Sequence, residues 1–509
     1  MESVASSRSL LPARRKSRRL QAALEKGIKA FFGGNAILAV IVLALITIFL
    51  FREGFGFFGQ NLANLRVYRQ AGLEYVDIIR AVGEQHEALS RRLSDIRLGE
   101  AQHLEKRGTP VDETAAILAP FDKFAAEFGD TAENLRGLIS ESTDQATSLK
   151  EELAASRTMD PARLDVALPT LRQAEPAFDS VATDMTARIA ALLATAPPIS
   201  DPASSRIFGH WKSTVGNYLK EFPGAAARLR SWSPNEPIPW HRSIQSFLFG
   251  REWVTASFWQ DWYGIIPLLT GSVLVSFVAL LIAVPLGVSS AIYVSEVASR
   301  GERKLIKPII EFVSAIPSVV LGFFGIAVVG EAIRAASQSS LLSWVSFFPI
   351  SERLNVMTAG CLLAFMAIPT IFTLAEDALR NVPRGFKEAS YALGANRLQT
   401  IGRVIVPASL SGIISAILLG LGRVIGETMV VLLCAGNRIA IPDFTQGVGS
   451  FFQPVHTMTG IIAQEMGEVV RGSIHYRALF MVGLVLFTIT LAINWLAQRF
   501  VARFRMSIG

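Results

Sequence analysis

Cysteine is scarce in this chain of 509 residues, which contains only Cys361 and Cys434. Both lie inside apolar runs, so no disulfide framework is expected to hold the fold together. We interpret each as a small buried hydrophobe rather than a metal or redox residue. Histidine is also rare, and His86 and His103 stand singly on predicted helices, where packing and surface roles predominate. The sequence therefore indicates no metal site.

The chain also lacks the phosphate-binding loop of ATPases. The segment nearest to G-x-x-x-x-G-K-[ST] is GHWKST at residues 209–214, which lacks the required glycine and spacing. We therefore expect no ATPase site in this chain, and any ATP-driven step would need another polypeptide. No small-residue cleavage pattern follows the first apolar run, which ends at Arg52 and Glu53. That run is predicted to be an uncleaved membrane helix.

Apolar residues are abundant, at 51% of the chain with a mean hydropathy of +0.39, and this places the protein among membrane proteins. A net charge of +7 could suggest a nucleic-acid binder. However, the Lys and Arg clusters flank apolar runs, as the positive-inside rule predicts for a bilayer protein. We therefore predict a membrane protein that does not bind nucleic acid.

Six membrane spans are predicted, at residues 31–51, 265–288, 312–329, 357–374, 404–434 and 478–497. Pro317, Gly322 and Gly325 predict that the third span is broken or tightly packed, because small residues let backbones approach closely in lipid. The basic flanks place both termini in the cytoplasm of a bacterial cell, with the chain in the inner membrane.

Four regions follow from these spans. They are a basic cytoplasmic N-terminus (1–30), a first transmembrane helix (31–51), a periplasmic helical domain (52–262), and a transmembrane domain (263–509) that contains a cytoplasmic loop at 380–403. The domain at 52–262 is predicted to be a bundle of three to five helices, since apolar residues recur every three or four positions after Leu73. Helix starts are predicted at Asp112, Asp160-Pro161 and Asp201-Pro202. Trp253, Trp259, Trp262 and Tyr263 are predicted to lie among lipid headgroups.

Two charged residues lie within the fifth span. Arg423 and Glu427 are four positions apart, so on one continuous helix they would share a face. A charge inside the bilayer is costly unless it is paired or faces a polar cavity, which favours a solute pathway. The alternative is that the two charges only neutralise each other to stabilise packing. A guanidinium suits tetrahedral oxyanions, and Glu427 could orient it or accept a hydrogen bond from a protonated oxyanion such as phosphate.

The segment before this span carries a spaced motif. Residues 388–407 read E-A-S-x-x-x-G, then nine residues, then V-I-V-P. This resembles the E-A-A-x-x-x-G-x9-I-x-L-P loop of bacterial ABC-transporter permeases, with Ser390 in place of the second alanine. The resemblance implies that Glu388, Ala389, Ser390, Gly394 and Pro407 couple the chain to a separate ATPase. We predict a short helix around Glu388 to Leu393 that turns at Gly394 and can lie parallel to the membrane. The alternative is an ordinary amphipathic loop between spans.

A second resemblance covers nearly all of residues 263–509. The sequence GRVIGETMVVLLCAGN, at residues 422–437, is similar to the signature of phosphate ABC-transporter permeases, more of the PstC type than of its PstA partner. It implies an all-α importer permease fold working by alternating access, with no enzyme activity and no cofactor of its own. It also implies an ATP-binding ATPase dimer, a second permease subunit and a periplasmic phosphate-binding protein as partners.

The domain at 52–262 departs from this family, in which the corresponding connection is short. Two other functions remain open at the level of sequence. One is a permease for another oxyanion, such as sulfate or molybdate. The other is a membrane receptor with a helical sensor domain, which the four spans after the second one disfavour.

Overall fold

A computed structural model describes residues 14–155, 169, 171–339, 345, 347–350 and 352–504. The chain divides into two compact units. The membrane unit comprises the described parts of Met1–Phe57, Phe247–Trp253 and Tyr263–Gly509, and the insert unit comprises those of Phe58–Ser246 and Val254–Trp262. The predicted boundaries at 52 and 262 therefore differ from the division in the structure, since residues 52–57 and 247–253 group with the membrane unit.

The insert unit is helical. Its helices are the end of α1 (Arg14–Gln70), α2 (Leu73–Lys106), α3 (Val111–Asp130), α4 (Glu133–Ala155), α5 (Ala174–Ala194), α6 (Pro202–Ser231) and most of α7 (Trp240–Leu248). This is more than the three to five predicted, because short turns such as the one at Gly72 (φ 74°) divide the apolar pattern. The predicted start at Asp201 is confirmed, since its carboxylate caps α6 through Ser204 N at 2.9 Å. Asp112 lies inside α3 rather than capping it, and Asp160-Pro161 falls outside the described residues.

An aromatic core holds the insert unit together. Trp211 of α6 is fully buried between Phe124 and Phe128 of α3, and its indole donates to Leu89 O at 2.9 Å. Satisfying the indole N–H in this way removes the main cost of burying a tryptophan. The apolar residues that recur every three or four positions after Leu73 in α2 are also buried in this core. The periodicity that predicted α2 therefore marks its packed face.

The membrane unit begins with α1 and continues after a short strand pair, β1 (Trp253–Val254) and β2 (Trp262–Tyr263). Its remaining helices are α8 (Ile266–Ile292), α9 (Arg300–Val313), α10 (Ser318–Phe324), α11 (Gly330–Ser337), α12 (Val356–Arg380), α13 (Arg384–Ala392), α14 (Arg397–Thr400), α15 (Val406–Gly426), α16 (Met429–Cys434), α17 (Met458–Glu465) and α18 (Ile474–Phe504). Wider π-type turns continue α8 (Tyr293–Val297), join α10 to α11 (Gly325–Val329) and lead into α15 (Ile401–Ile405). A 3-10 segment covers Phe444–Phe452.

Six helical stretches of the described chain are long and apolar enough to cross a membrane, which confirms the predicted number. They are Leu24–Gln70, Ile266–Val297, Ser318–Ser337, Val356–Arg380, Arg397–Gly426 and Ile474–Arg499. The protein is thus an all-α polytopic membrane protein with a helical insert between its first two spans.

The third span starts later than predicted. Residues 312–317 do not belong to it, because Pro317 adopts an extended conformation (ψ 138°) and separates the amphipathic helix α9 from α10. The predicted tight packing is confirmed at Gly322 and Gly325. A Cβ on Gly325 would lie 2.2 Å from a methyl group of Leu362 and 2.5 Å from Cys434 Sγ. Cys434 is buried, as predicted for a small hydrophobe.

The core of the membrane unit surrounds α12, which packs against α8 and α15. In the most apolar stretch of α12, 67% of the residues are buried inside the protein, whereas the corresponding share is 28% for the span that contains α15. One side of α15 is therefore uncovered in the isolated chain. That exposed side carries the charged residue considered next.

The aromatic residues before α8 pack against other protein groups. Trp253 and Tyr263 are buried, with ring centroids 5.4 Å apart, and Trp262 packs on Tyr68 at 5.2 Å. Trp259 donates its indole N–H to Asp77 Oδ1 at 3.0 Å. Each ring thus contacts other protein groups, and the headgroup position remains a prediction.

Candidate functional site

Arg423 lies in the last turn of α15 and is exposed. Its Nη1 donates to Thr370 Oγ1 of α12 at 2.8 Å, which holds one edge of the guanidinium and leaves its other donors available. An arginine on the exposed face of a membrane span is costly if that face meets hydrocarbon. This face therefore requires water, a polar solute or another protein chain against it.

Glu427 does not share a helix face with Arg423. The helix α15 ends at Gly426, and Glu427 is extended (φ −72°, ψ 130°) before α16 begins at Met429. Its Oε1 accepts from Met429 N at 3.2 Å, whereas Arg423 donates to Thr370, and these two charged side chains form no ion pair with each other in the described structure. The predicted continuous span at 404–434 was wrong at this point, as was the alternative that the two charges neutralise each other.

The break at Glu427 brings a distant loop to this position. The Glu427 carbonyl accepts from Thr459 Oγ1 at 2.9 Å, at the start of α17. The adjacent Met458 N donates to Ser272 Oγ of α8 at 2.9 Å. The structure thus brings the hydroxyl groups of Thr370 and Thr459, from two other segments of the chain, to the end of α15.

Thr370 and Thr459 were not identified from the sequence as site residues. Hydroxyls in apolar spans are common, and most donate back to their own helix, as Thr488 does to Leu484 O at 2.8 Å. Only the contact partner distinguishes Thr370 from such a residue. The signal was therefore absent from the local sequence.

The segment with the spaced motif consists of α13, a turn at Gly394 and α14. The predicted turn is confirmed, since Gly394 has φ +82°, a conformation that favours glycine. The helix before it starts at Arg384, four residues earlier than predicted. Pro407 lies in the first turn of α15, where its missing N–H costs little.

Ser390 differs from the other residues of the motif. Its side chain is buried, and its hydroxyl lies 2.9 Å from Thr400 Oγ1 of α14, whereas Glu388 and Ala389 are exposed. This hydrogen bond joins the two short helices across the Gly394 turn. It also explains how a serine is accommodated where the related motif has alanine.

The same segment exposes large apolar side chains. Leu393 is 89% exposed and Leu398 is 76% exposed, with Phe386 and Tyr391 also on the surface. Exposed apolar groups clustered next to a turn are typical of a surface that another protein covers. Together with Glu388 and Ala389, they define what we call the docking face of this segment.

No group of three or more His, Cys, Asp or Glu side chains is placed to hold a metal ion within the part of the chain that the structure describes.

Comparisons with family models and with known proteins point to the same family. Residues 283–506 match the family described as "Binding-protein-dependent transport system inner membrane component". A Bacillus subtilis protein described as the probable ABC transporter permease YqgH is 35% identical over 272 residues, covering 51% of this chain and 82% of the relative. The phosphate transport system permease PstC of Pasteurella multocida is 32% identical over 272 residues, covering 52% and 82%.

Among solved structures, an inward-facing form of the MetNI methionine ABC transporter is 20% identical and covers 47% of this chain and 94% of its own. The TM-score is 0.34.

Proposed function

Because the chain belongs to the family of binding-protein-dependent transport inner-membrane components, related to PstC-type permeases, we propose that it is the permease subunit of an ATP-driven phosphate importer. Support for the phosphate assignment comes from the relatives named as phosphate permeases, which are 30–32% identical to this chain. The relative with 35% identity carries no substrate in its description. The substrate therefore needs an independent argument from the site.

The observation that carries the proposal is Arg423, a guanidinium on the uncovered face of a membrane span. Arginine stays charged and presents donors in a planar fork that matches oxyanions. Thr370 fixes its orientation. An anion crossing the membrane would meet a positive charge at this point, so we place Arg423 on the phosphate route.

Glu427 is proposed to act beside this route rather than through an ion pair with Arg423. One of its carboxylate oxygens is occupied by Met429 N, which leaves capacity for a further hydrogen bond. A carboxylate can accept from the O–H of a protonated phosphate but repels fully ionised sulfate. This arrangement favours phosphate over sulfate.

The docking face is proposed to receive the ATPase. Closure of an ATP-binding dimer would move Glu388, Ala389 and the exposed leucines, and the motion would pass through α14 and Pro407 into α15, which carries Arg423. ATP would bind only to those partner subunits, and this chain would need no cofactor.

A second permease subunit would cover the uncovered face of α15, and a periplasmic binding protein would deliver phosphate from outside. Both termini would lie in the cytoplasm of a bacterial cell.

The first test is phosphate uptake by Arg423→Gln. Uptake should be abolished while the complex still assembles, because the substitution removes the charge but preserves most of the side-chain volume. Arg471→Gln, on an exposed loop with no described partner, is the matched control and should transport normally. Normal uptake by Arg423→Gln would refute the role of Arg423 in the pathway.

The substrate is tested separately by ATP hydrolysis in reconstituted complexes that include the binding protein. Phosphate should stimulate hydrolysis, whereas sulfate and molybdate should not. Stimulation by one of the other oxyanions instead would retain the importer and replace its substrate.

The docking face is tested with Gly394→Asp. Because the residue has φ +82°, a side chain there strains the turn by about 1–2 kcal/mol, and the aspartate also adds a charge to an apolar surface. Co-purification of the ATPase should decrease. Gly301→Asp on α9, where a Cβ also has open space, is the control. Equal recovery of the ATPase with both variants would contradict the coupling assignment.

A further inference from the structure

The end of the second span contacts the segment formed by α13, the Gly394 turn and α14, which we call the docking segment. The last turn of that span is the wide π-type turn Tyr293–Val297, which contains Glu296. The Glu296 side chain is only 10% exposed, and its Oε1 accepts from Lys387 Nζ of α13 at 2.6 Å. The Ser295 hydroxyl donates to the same oxygen at 3.0 Å. A charge-assisted hydrogen bond of this length in a poorly hydrated position is stronger than an exposed ion pair.

A second contact reaches the same turn from the other short helix. Arg397, the first residue of α14, donates through Nη2 to the carbonyls of Glu296 and Val297, the latter at 3.3 Å. A cation at the C-terminal carbonyls of a helix is favourable because those carbonyls carry a partial negative charge. Both halves of the docking segment are therefore attached to one turn of five residues.

The docking segment is also rigid within itself. The Ser390–Thr400 hydrogen bond joins α13 to α14, and a capping box between Asn396 and Gln399 fixes the start of α14. Its covalent continuations lead into α12 before it and α15 after it. Glu296 thus adds a connection to α8, a span that the chain sequence separates from the docking segment by about 90 residues.

We propose that Glu296 is a positioning residue that makes the docking segment move α8 together with α15. A displacement imposed on α13 would pass through Lys387 to Glu296 and so to the second span, while Pro407 carries it to α15. The turn Tyr293–Val297 is suited to this role, since π-type turns are frequent at functional sites and accommodate local rearrangement. This inference rests on the proposed coupling function, which it extends to a second moving helix.

The connection predicts a loss of coupling rather than a loss of assembly. Without the carboxylate, Arg397 still reaches the backbone carbonyls, so the docking segment keeps its fold and its exposed face. The ATPase should therefore bind and hydrolyse ATP. Only α8 would fail to follow, and less phosphate would cross for each ATP hydrolysed.

The experiment measures phosphate taken up per ATP hydrolysed by the whole complex in vesicles. Glu296→Gln should lower this ratio by roughly two- to thirty-fold, the range expected for loss of one coupling contact between sites. Lys387→Met should lower it similarly. The exchanged pair Glu296→Lys with Lys387→Glu should recover a large part of it, because the two charges then attract again. Asp377→Asn, which removes an exposed carboxylate without an ion pair among the described residues, is the control and should match the wild type.

Several outcomes would overturn the inference. One is a wild-type ratio in Glu296→Gln, and another is a lowered ratio that the exchanged pair fails to raise. A fall in the amount of assembled complex with an unchanged ratio would show that Glu296 only stabilises the fold. Failure of the proposed function is distinguishable from all of these, since the wild-type complex itself would then show no phosphate-dependent ATP hydrolysis.

Discussion

The buried carboxylate of Glu376 allows a stability prediction whose size can be worked from the structure. Glu376 lies near the end of α12 and is 0% exposed. Lys307 of α9 donates to its Oε2 at 2.7 Å. Arg380 Nε lies 3.0 Å from Oε1 but without hydrogen-bond geometry, so this oxygen has only a charge contact. The two cations are unequal, because Lys307 is 27% exposed and Arg380 is 43% exposed.

Two single substitutions should differ in cost. Removing one partner from a fully buried pair costs about 3–5 kcal/mol. Glu376→Gln leaves two partly hydrated cations that can turn towards water, so we expect a smaller loss of about 2 kcal/mol. Lys307→Met leaves a buried carboxylate with only the charge contact to Arg380, so the loss should be larger, about 3 kcal/mol.

The double variant tests the pair itself. With both Glu376→Gln and Lys307→Met, no charge remains unpaired between these two positions. The combined loss should therefore be well below the sum of the single losses, by about 1–3 kcal/mol. Additive losses would refute the reasoning, as would a Lys307→Met variant that is more stable than Glu376→Gln.

A thiol assay suits this measurement once the partly exposed Cys361 is replaced by alanine in every variant. Cys434 is buried, so a maleimide dye should label it only as the membrane unit unfolds. A loss of 2 kcal/mol corresponds to a decrease in melting temperature of roughly 4–8 °C. Asp377→Asn, an exposed neighbour of Glu376, should change the free energy of unfolding by less than about 0.5 kcal/mol.

Three further predictions concern stability. Two use the same assay on the membrane unit, and the third follows unfolding of the insert unit by the fluorescence of its buried Trp211. Gly271→Ala should destabilise the membrane unit by about 1–3 kcal/mol, because the new methyl would lie 2.1 Å from His456 O; Gly402→Ala, with open space at Cβ, should not, and equal effects would contradict the contact. Ser390→Ala should cost at most about 1 kcal/mol, since Thr400 Oγ1 keeps its bond to Asn396 O at 3.1 Å; a larger loss would mean that the hydroxyl pair matters more than its geometry indicates. Burial lowers the pKa of His86 to about 4 from its usual 6.5. Below pH 6.5 the unfolded state therefore binds a proton that the folded state does not bind. Stability is lost as the pH falls from 6.5, and the loss is complete only below about pH 4. Between pH 7.5 and pH 5 the loss of stability due to His86 should be about 2 kcal/mol. The free energy of unfolding should therefore depend less on pH in His86→Gln than in the exposed control His210→Gln, and equal pH dependence would contradict the reasoning.

Much of the site could be predicted because its signals are local. The spaced motif at residues 388–407 specifies a short helix, a turn and the start of a span, and the structure has α13, the Gly394 turn and Pro407 in those places. Arg423 was identifiable because a charge inside an apolar run is conspicuous. The functional roles of these residues remain predictions, although the structure gives their positions.

Other features depend on contacts that no local pattern contains. Spacing alone suggests that Arg423 and Glu427 share a helix face. In the structure the helix ends at Gly426, and the carbonyl of Glu427 accepts a hydrogen bond from Thr459. Similarly, the tryptophans before α8 match a headgroup pattern, but only the structure shows that the Trp259 indole donates to Asp77 of the insert unit.

The sequence by itself determined the membrane class, the six spans, the docking segment and the presence of a charged residue in the fifth span. Each of these follows from hydrophobicity or spacing within a few dozen residues. Only the tertiary structure decided which groups meet Arg423, Glu427 and Glu296, because those partners come from segments far apart in the chain. The physical reason is that periodicity specifies which side of a helix is apolar, whereas packing decides which neighbour that side contacts.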